Sequence, residues 1–556
     1  MSPMAPMAPT RYDRAVALDA SVDTSAQATR RHALGNVRIR NQETNALILI
    51  PTPSSDPNDP LNWSPWRKYY TAGLVCLAMT MSNFLAAGPS IAIVQTALSF
   101  FPDAVVNDTL TSSAIPKIAY FFTTTSLLLG VGCFFWVPIA NKYGRRPVYL
   151  ASYSVYFAVA VALIFVKSYG GFLAGRILMG FGAGAAETIA PITIADTFFL
   201  HERGAIMSFY NCALSVGVAL GMVVSGLITI DYEWRTIYQV GCALVGFVLV
   251  LIFFSFPETA YNRQYDQSDG SITGVEIEKK DCLGLGPANA GRPASVSEQK
   301  KRGGTILGKS HRSLTNESLL KMFLRPFGLI ILPPVLWAAL IQAVTIGFLV
   351  AVSSNVDTAF EGTYDFDSYQ VGLCFIAAII GSLVGIPAGG HLGDLVADYF
   401  TKRNGGIREP EMRLPVMALS LVTTPLSLTL YGVGIHHQLH WIVPTIGLGL
   451  LNFSVTQASC VCLVYVIDAY RPVAGEVSLA VLGFKALFGF LLSFYTNPWI
   501  NSSGYQIAYG TMAGIAAGIL ILWIPLYIWG KRIRYATWNW PLVSYIHWYG
   551  DREVGE

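Results

Sequence analysis

The sequence predicts an all-α membrane protein with 12 transmembrane helices in two six-helix bundles. Three observations carry this. Of the 556 residues, 53% are hydrophobic and only 13% charged, a balance foreign to water-soluble chains of this size. Apolar runs of about 20 residues recur, the length that about 30 Å of hydrocarbon demands of a helix rising 1.5 Å per residue. The runs fall six and six about one long hydrophilic connector.

Residues 1–68 are rich in Ala, Pro, Ser, Thr and Arg, with no run of spanning length and no early apolar core of a secretory signal. The expectation is a cytosolic tail, disordered for most of its length. The stretch from Asp56 to Lys68 differs: its turn residues, two Trp and a basic pair suit a segment at the interface before span 1. Spans 1 to 6 are placed near 69–96, 115–140, 147–166, 170–200, 205–230 and 236–256, giving an N-terminal bundle over 69–257. A polar linker, 258–325, follows. Spans 7 to 12 are placed near 326–353, 369–393, 414–435, 440–467, 472–495 and 506–530, giving a C-terminal bundle over 326–530. Residues 531–556 form a second tail. A site between the bundles near mid-membrane is the consequence of such a division.

Orientation comes from charge. The turn from Val137 to Pro147 is too short to cross a bilayer, so spans 2 and 3 end on one face. Lys142, Arg145 and Arg146 assign that face to the cytosol. Gly144 suits the reversal, since it tolerates backbone angles other residues avoid. Of 37 Lys and Arg, only Lys167 and Arg235 fall outside, and only Lys117, Arg176 and Lys485 within spans. Both termini are therefore expected in the cytosol. Asn107 and Asn501 head sequons in the first and last outer loops and are the expected glycosylation sites. All eight cysteines except Cys282 sit in apolar runs, as small buried hydrophobes rather than a disulfide framework.

Two motifs are set aside. Gly303 to Ser310 spells GxxxxGK[ST], but no strand precedes it and no nucleotide-binding domain surrounds it. An ion gradient or the substrate's own gradient is thus the expected energy source. His436-His-x-x-His440 lies in an outer loop and reads as surface histidine, not a metal site. No cofactor, metal or nucleic-acid partner is expected, and no Ser/His/Asp set suggests an enzyme.

The basic turn resembles the GxxxDRxGRR signature of the major facilitator superfamily. Lys142, Gly144, Arg145 and Arg146 match, while Val137 stands in the Gly position and Asn141 in the Asp position. A degraded copy follows span 8 as Gly390-His-Leu-Gly-Asp394. Arg176, Gly180, Gly182, Gly184, Pro191, Asp196 and Arg203-Gly204 are spaced like the superfamily's span 4, and Pro257-Glu-Thr259 follows span 6. Asp-Pro-Leu-Asn-Trp63, the run Arg403 to Arg413 and Ile467-Asp-Ala-Tyr470 are similar to the 12-span fungal drug:proton and polyamine antiporters. In span 5, Gly217, Gly221 and Gly226 resemble the antiporter motif GxxxGPxxGG, with Met222 in the Pro position and Ser225 in the first Gly of the final pair.

The resemblance implies the major facilitator fold and a cytosolic gating network of Arg145, Arg146, Asp196, Arg203 and Glu258 on one bundle and Asp394, Arg413 and Asp468 on the other. An exposed ion pair contributes about 0–1 kcal/mol, so such a gate must act as a network. Independently of the resemblance, charges deep in spans mark function, because each costs about 2.5–3.5 kcal/mol at the bilayer centre. Arg176 and Glu187 in span 4 are eleven helical steps apart, which returns them to nearly one azimuth and one cavity. Lys485 lies halfway along span 11. Glu187 is the candidate proton carrier, with Arg176 or Lys485 as its balance or as a binder of an anionic group. Asn83, Gln342, Asn452 and Gln457 are polar mid-span residues able to bond a ligand or another helix. Phe84, Trp337 and Tyr495 are candidate aromatic linings.

The expected function is export of a small organic compound (drug, toxin or secondary metabolite) by alternating access, as proton-coupled antiport. The expected form is a monomer in the plasma membrane, or in a vacuolar or other internal membrane. Uptake or exchange of an amine or polyamine is the alternative, and a non-transporting membrane sensor the remote one.

Overall fold

The computed structural model describes residues 35, 37–38, 49–54, 56–102, 114–261, 315 and 317–546, and these are almost entirely helical. Eleven helical stretches among them are long and apolar enough to cross a membrane. The last, Arg471–Trp538, has 68 residues, about 100 Å if straight, three times the hydrocarbon thickness. It is broken at Gly504, whose φ of 78° and ψ of 162° no helix contains. It therefore holds spans 11 and 12, and the count of twelve is reached.

Several boundaries differ from expectation, with spans 8 and 12 running on to Arg403 and Trp538. Span 1 continues to Phe100 through a 3-10 turn at Gly88–Ala92. Residues Leu319–Leu329 form a separate helix, with Leu320, Phe323 and Phe327 exposed and Met322 and Arg325 buried. Span 7 then starts afresh at Pro333, where proline fits because a helix's first N–H has no partner to lose, and runs to Tyr364. Counting apolar residues from the linker cannot see that restart, so it ended span 7 a dozen residues early. The Gly303–Ser310 motif, Asn107 and Cys282 lie outside the described residues.

The tight reversal at Gly144 is as expected: span 2 ends at Tyr143 and span 3 begins at Arg145, with Gly144 at φ 105°. Glycine also sets the closest helix contacts. A Cβ on Gly217 or Gly221 of span 5 would lie 2.6 Å from the Thr80 or Phe84 carbonyl oxygen of span 1. Small residues are what let those backbones meet.

The face that carries the chain ends and the linker is here termed the terminal face. Parts of the N-terminal tail lie along it. Val37–Arg38 pairs antiparallel with Ile407–Arg408 of the C-terminal half, and the Gly35 carbonyl accepts from Arg471 Nη2 at 3.1 Å. Further on, the Leu200 N–H donates to the Ile50 carbonyl at 2.8 Å, on the N-terminal half.

Candidate functional site

Between the bundles lies a cavity of about 1040 Å³, the part open to solvent included. Its walls come from spans 1, 2, 4, 5, 7 and 11. Most of the lining is apolar, with Phe122, Leu214, Val218 and Ile346 among it, and its hydroxyls are those of Ser90, Ser126, Ser353, Ser354 and Ser493. The cavity begins near mid-span, at Glu187, Leu214, Ile346 and Lys485, and extends from there away from the terminal face, past Ser90, Ala119 and Ser354.

Two charges occupy the cavity, Glu187 of span 4 and Lys485 of span 11, and they form an ion pair. Both are nearly buried, at 3% and 6% exposure. The pair joins one bundle to the other. Two charges in a low-dielectric setting attract strongly, but each has lost its hydration, so the pair holds only while both partners stay charged. Adding a proton to Glu187, or bringing in a competing ligand, is the chemistry that opens it.

Asn83 also lines the cavity, with its amide nitrogen bonded to the Met79 carbonyl at 3.0 Å. Arg176 does not. The helical arithmetic put it in one cavity with Glu187; the structure seats it inside the N-terminal bundle, at 0% exposure. Its guanidinium donates to the carbonyls of Leu85, Ala86 and Phe121 at 2.8, 2.9 and 3.1 Å. Span 1 leaves regular α-helix just beyond Ala87, so two of those carbonyls come free at the break, and Arg176 satisfies them. Arg176→Ala is expected to strand the Leu85 and Ala86 carbonyls at about 1–3 kcal/mol each, while the Phe121 carbonyl keeps the Thr125 hydroxyl. A large fall in melting temperature on solubilised protein checks this, with Arg176→Lys failing to restore it for want of the planar fork. Unchanged stability with lost transport would return Arg176 to the transport route.

Gln342, Asn452 and Gln457 likewise sit apart from the cavity. Gln342 Nε2 donates to the Ser459 carbonyl at 3.4 Å and Asn452 Nδ2 to Leu448 at 2.9 Å. Gln457 bonds the Ser420 hydroxyl and, at 3.0 Å, the Val416 carbonyl. Gln342 and Gln457 tie helices of the C-terminal bundle, while Asn452 bonds back along its own helix. Phe84 and Trp337 are buried outside the cavity and Tyr495 is 66% exposed, so Phe122 is the aromatic that lines it.

On the terminal face the expected charges do meet. Arg145 Nε lies 3.0 Å from Asp196, and the Glu258 carboxylate accepts the N–H groups of Arg145 and Arg146 at 2.9 and 3.1 Å. Those N–H groups open span 3, where a helix's partial positive charge favours an anion. Arg413 Nη2 binds Asp394 at 2.7 Å. Arg203 of span 5 meets Asp468 of span 10 at 3.3 Å, a bridge from bundle to bundle. Nearby, Ser208 and Cys460 are 3.0 Å apart across the same divide. The bundles are thus closed together on this face.

Several charges escaped sequence reasoning. Arg408 also reaches Asp394, at 3.5 Å, and Arg534 of the second tail binds Glu411 at 2.7 Å. Arg325, on the helix before span 7, binds Glu317 at 2.6 Å and Glu476 of span 11 at 2.9 Å, all three buried. Burial alone would lower the Arg325 pKa, but the hydrogen bonds and charges of the two carboxylates outweigh it and leave it raised. Beside it, Phe327 stacks on Phe134 of span 2, with centroids 5.1 Å apart. The helix before span 7 therefore touches both halves. Asp357 was missed because span 7 was ended too soon. Asn501 is exposed in the helical run just before Gly504.

Comparison with known proteins agrees with this architecture. A family model described as Major Facilitator Superfamily matches residues 71–491. The MFS-type transporter C1271.10c of Schizosaccharomyces pombe is 27% identical over 530 residues, covering 88% of each chain. Protein HOL1 of Saccharomyces cerevisiae is 24% identical, covering 90% of this chain and 92% of its own. The MFS transporter cpaT of Aspergillus oryzae is 24% identical over 86% and 90%. Among solved structures, the proton:xylose symporter XylE aligns with a TM-score of 0.54 at 16% identity, over 83% of this chain and 96% of its own.

Proposed function

The chain belongs to the Major Facilitator Superfamily and is a secondary transporter rather than an enzyme; on that premise we propose that it exports a small organic compound in exchange for protons. The Glu187–Lys485 pair inside an apolar cavity is the observation that carries this reading. The cavity's lining suits an uncharged or weakly polar organic molecule. The pair supplies the proton site: a proton on Glu187 frees Lys485 and loosens the tie between bundles. Loss of that proton on the other side restores the tie, which couples one proton to one reorientation.

The excess of Lys and Arg orients the terminal face to the cytosol. In that orientation the structure is the outward-facing state, closed below by Arg203–Asp468 and its neighbours, with Asn501 available for glycosylation outside. The plasma membrane is the proposed location and the monomer the working unit. Uptake of an amine or polyamine is the weaker reading, because Glu187, the carboxylate that lines the cavity, is already taken by Lys485.

The test is accumulation of a compound panel in cells with and without the protein. Expected is several-fold lower accumulation of at least one apolar compound, abolished by a protonophore and indifferent to ATP depletion at constant proton gradient. Accumulation that rises with expression would overturn export. Accumulation that ignores the protonophore would overturn coupling.

A further inference from the structure

Span 7 lines the cavity with Ile346, Gly347, Leu349, Val350, Ser353 and Ser354. That spacing is one helical stripe, and its next positions toward the outer side are Asp357 and Glu361. Glu361 is exposed, but Asp357 is 6% exposed, and its Oδ2 has no hydrogen-bond partner. No Lys, Arg or His among the described residues is ion-paired with it. Ser368, at the start of span 8, hydrogen-bonds the carboxyl group, and Glu361, one turn along its own helix, places a second negative charge near it. Between Asp357 and the cavity stands Ser353, whose Oγ is also without a partner. A buried carboxylate with no cation and an idle oxygen is costly, whereas the same group carrying a proton is not.

We propose that Asp357 is a second proton-binding carboxyl of this transporter, loaded from the outer solution one helical turn above the cavity, with Ser353 between it and the cavity. In the outward-facing state its carboxylate takes one proton from outer water. It gives that proton up toward the cavity as Glu187 separates from Lys485, so the proton gained by Glu187 is the one lost by Asp357. The inference rests on the proposed proton coupling.

The test uses two readouts on the purified full chain. Infrared difference titration counts carboxyls that hold a proton, whatever the chain transports. Asp357→Asn is expected to remove one protonated-carboxyl band that wild type shows. A spectrum unchanged from wild type overturns the proposal. In proteoliposomes, Asp357→Asn is expected to flatten the dependence of transport on outer pH; an unaltered dependence also overturns it. If wild-type transport ignores the proton gradient altogether, the coupling reading falls, while the infrared band still decides whether Asp357 holds a proton. Should Asp357→Asn not be recoverable, Ser368→Ala is expected to shift the midpoint of the same band, and no shift counts against the assignment.

Discussion

Glu187→Gln is expected to abolish proton-driven transport and to destabilise the protein at the same time. The substitution is nearly isosteric but leaves Lys485 charged, buried and without its partner. Breaking one side of a buried pair costs about 3–5 kcal/mol, while replacing both partners with apolar groups is often neutral. That asymmetry separates role from scaffold. Lys485→Met alone and Glu187→Leu alone should each be as damaging as Glu187→Gln. The double variant, Glu187→Leu with Lys485→Met, should regain most of the lost melting temperature and still fail to transport. Double-mutant analysis then gives a large coupling energy between the two positions. Normal transport by the double variant would remove the pair from the mechanism and leave it a structural tie.

Gly390→Leu is expected to force the terminal face open. Gly390 of span 8 packs on span 5 of the opposite bundle. A Cβ there would lie 2.9 Å from Ala205 Cα and 3.2 Å from the Gly204 carbonyl oxygen, both backbone atoms that cannot swing away. The Arg203–Asp468 bridge and the Ser208–Cys460 contact lie in the same seam. A leucine would wedge the spans apart and remove the state that the bridge holds. Cys460, at 0% exposure in the closed face, is a native reporter. A membrane-permeant thiol reagent should label it many-fold faster in Gly390→Leu, and the signal should vanish when Cys460→Ser is added. Gly390→Ala should fall between. Labelling and transport both at the wild-type level would mean that spans 5 and 8 do not part during the cycle.

The charge contacts on the terminal face were legible because their residues sit in short motifs next to span ends, where topology fixes the neighbours. Arg145, Asp196 and Glu258 all emerge on one face of one bundle, so their meeting follows from span count. Arg176 and Glu187 show the limit. Their common azimuth was correct arithmetic for an ideal helix, yet azimuth does not say what stands opposite. Arg176 faces a broken stretch of span 1, which takes its donors; Glu187 faces span 11. Asp357 shows a different limit: a helix restarted by Pro333 shifts its far end, and a residue assigned to water becomes a buried one.

By itself the sequence determined twelve spans, six on each side of the linker, and the charge-rich turns on one face. The bilayer imposes those features on each segment alone, through a fixed thickness and the cost of unpaired backbone and charge. Only the tertiary structure decided that Glu187 meets Lys485, 298 residues away, and that Arg176 braces a helix instead of lining the cavity. A partner supplied by another helix depends on that helix's rotation and depth, and these are fixed by the packing of all twelve together.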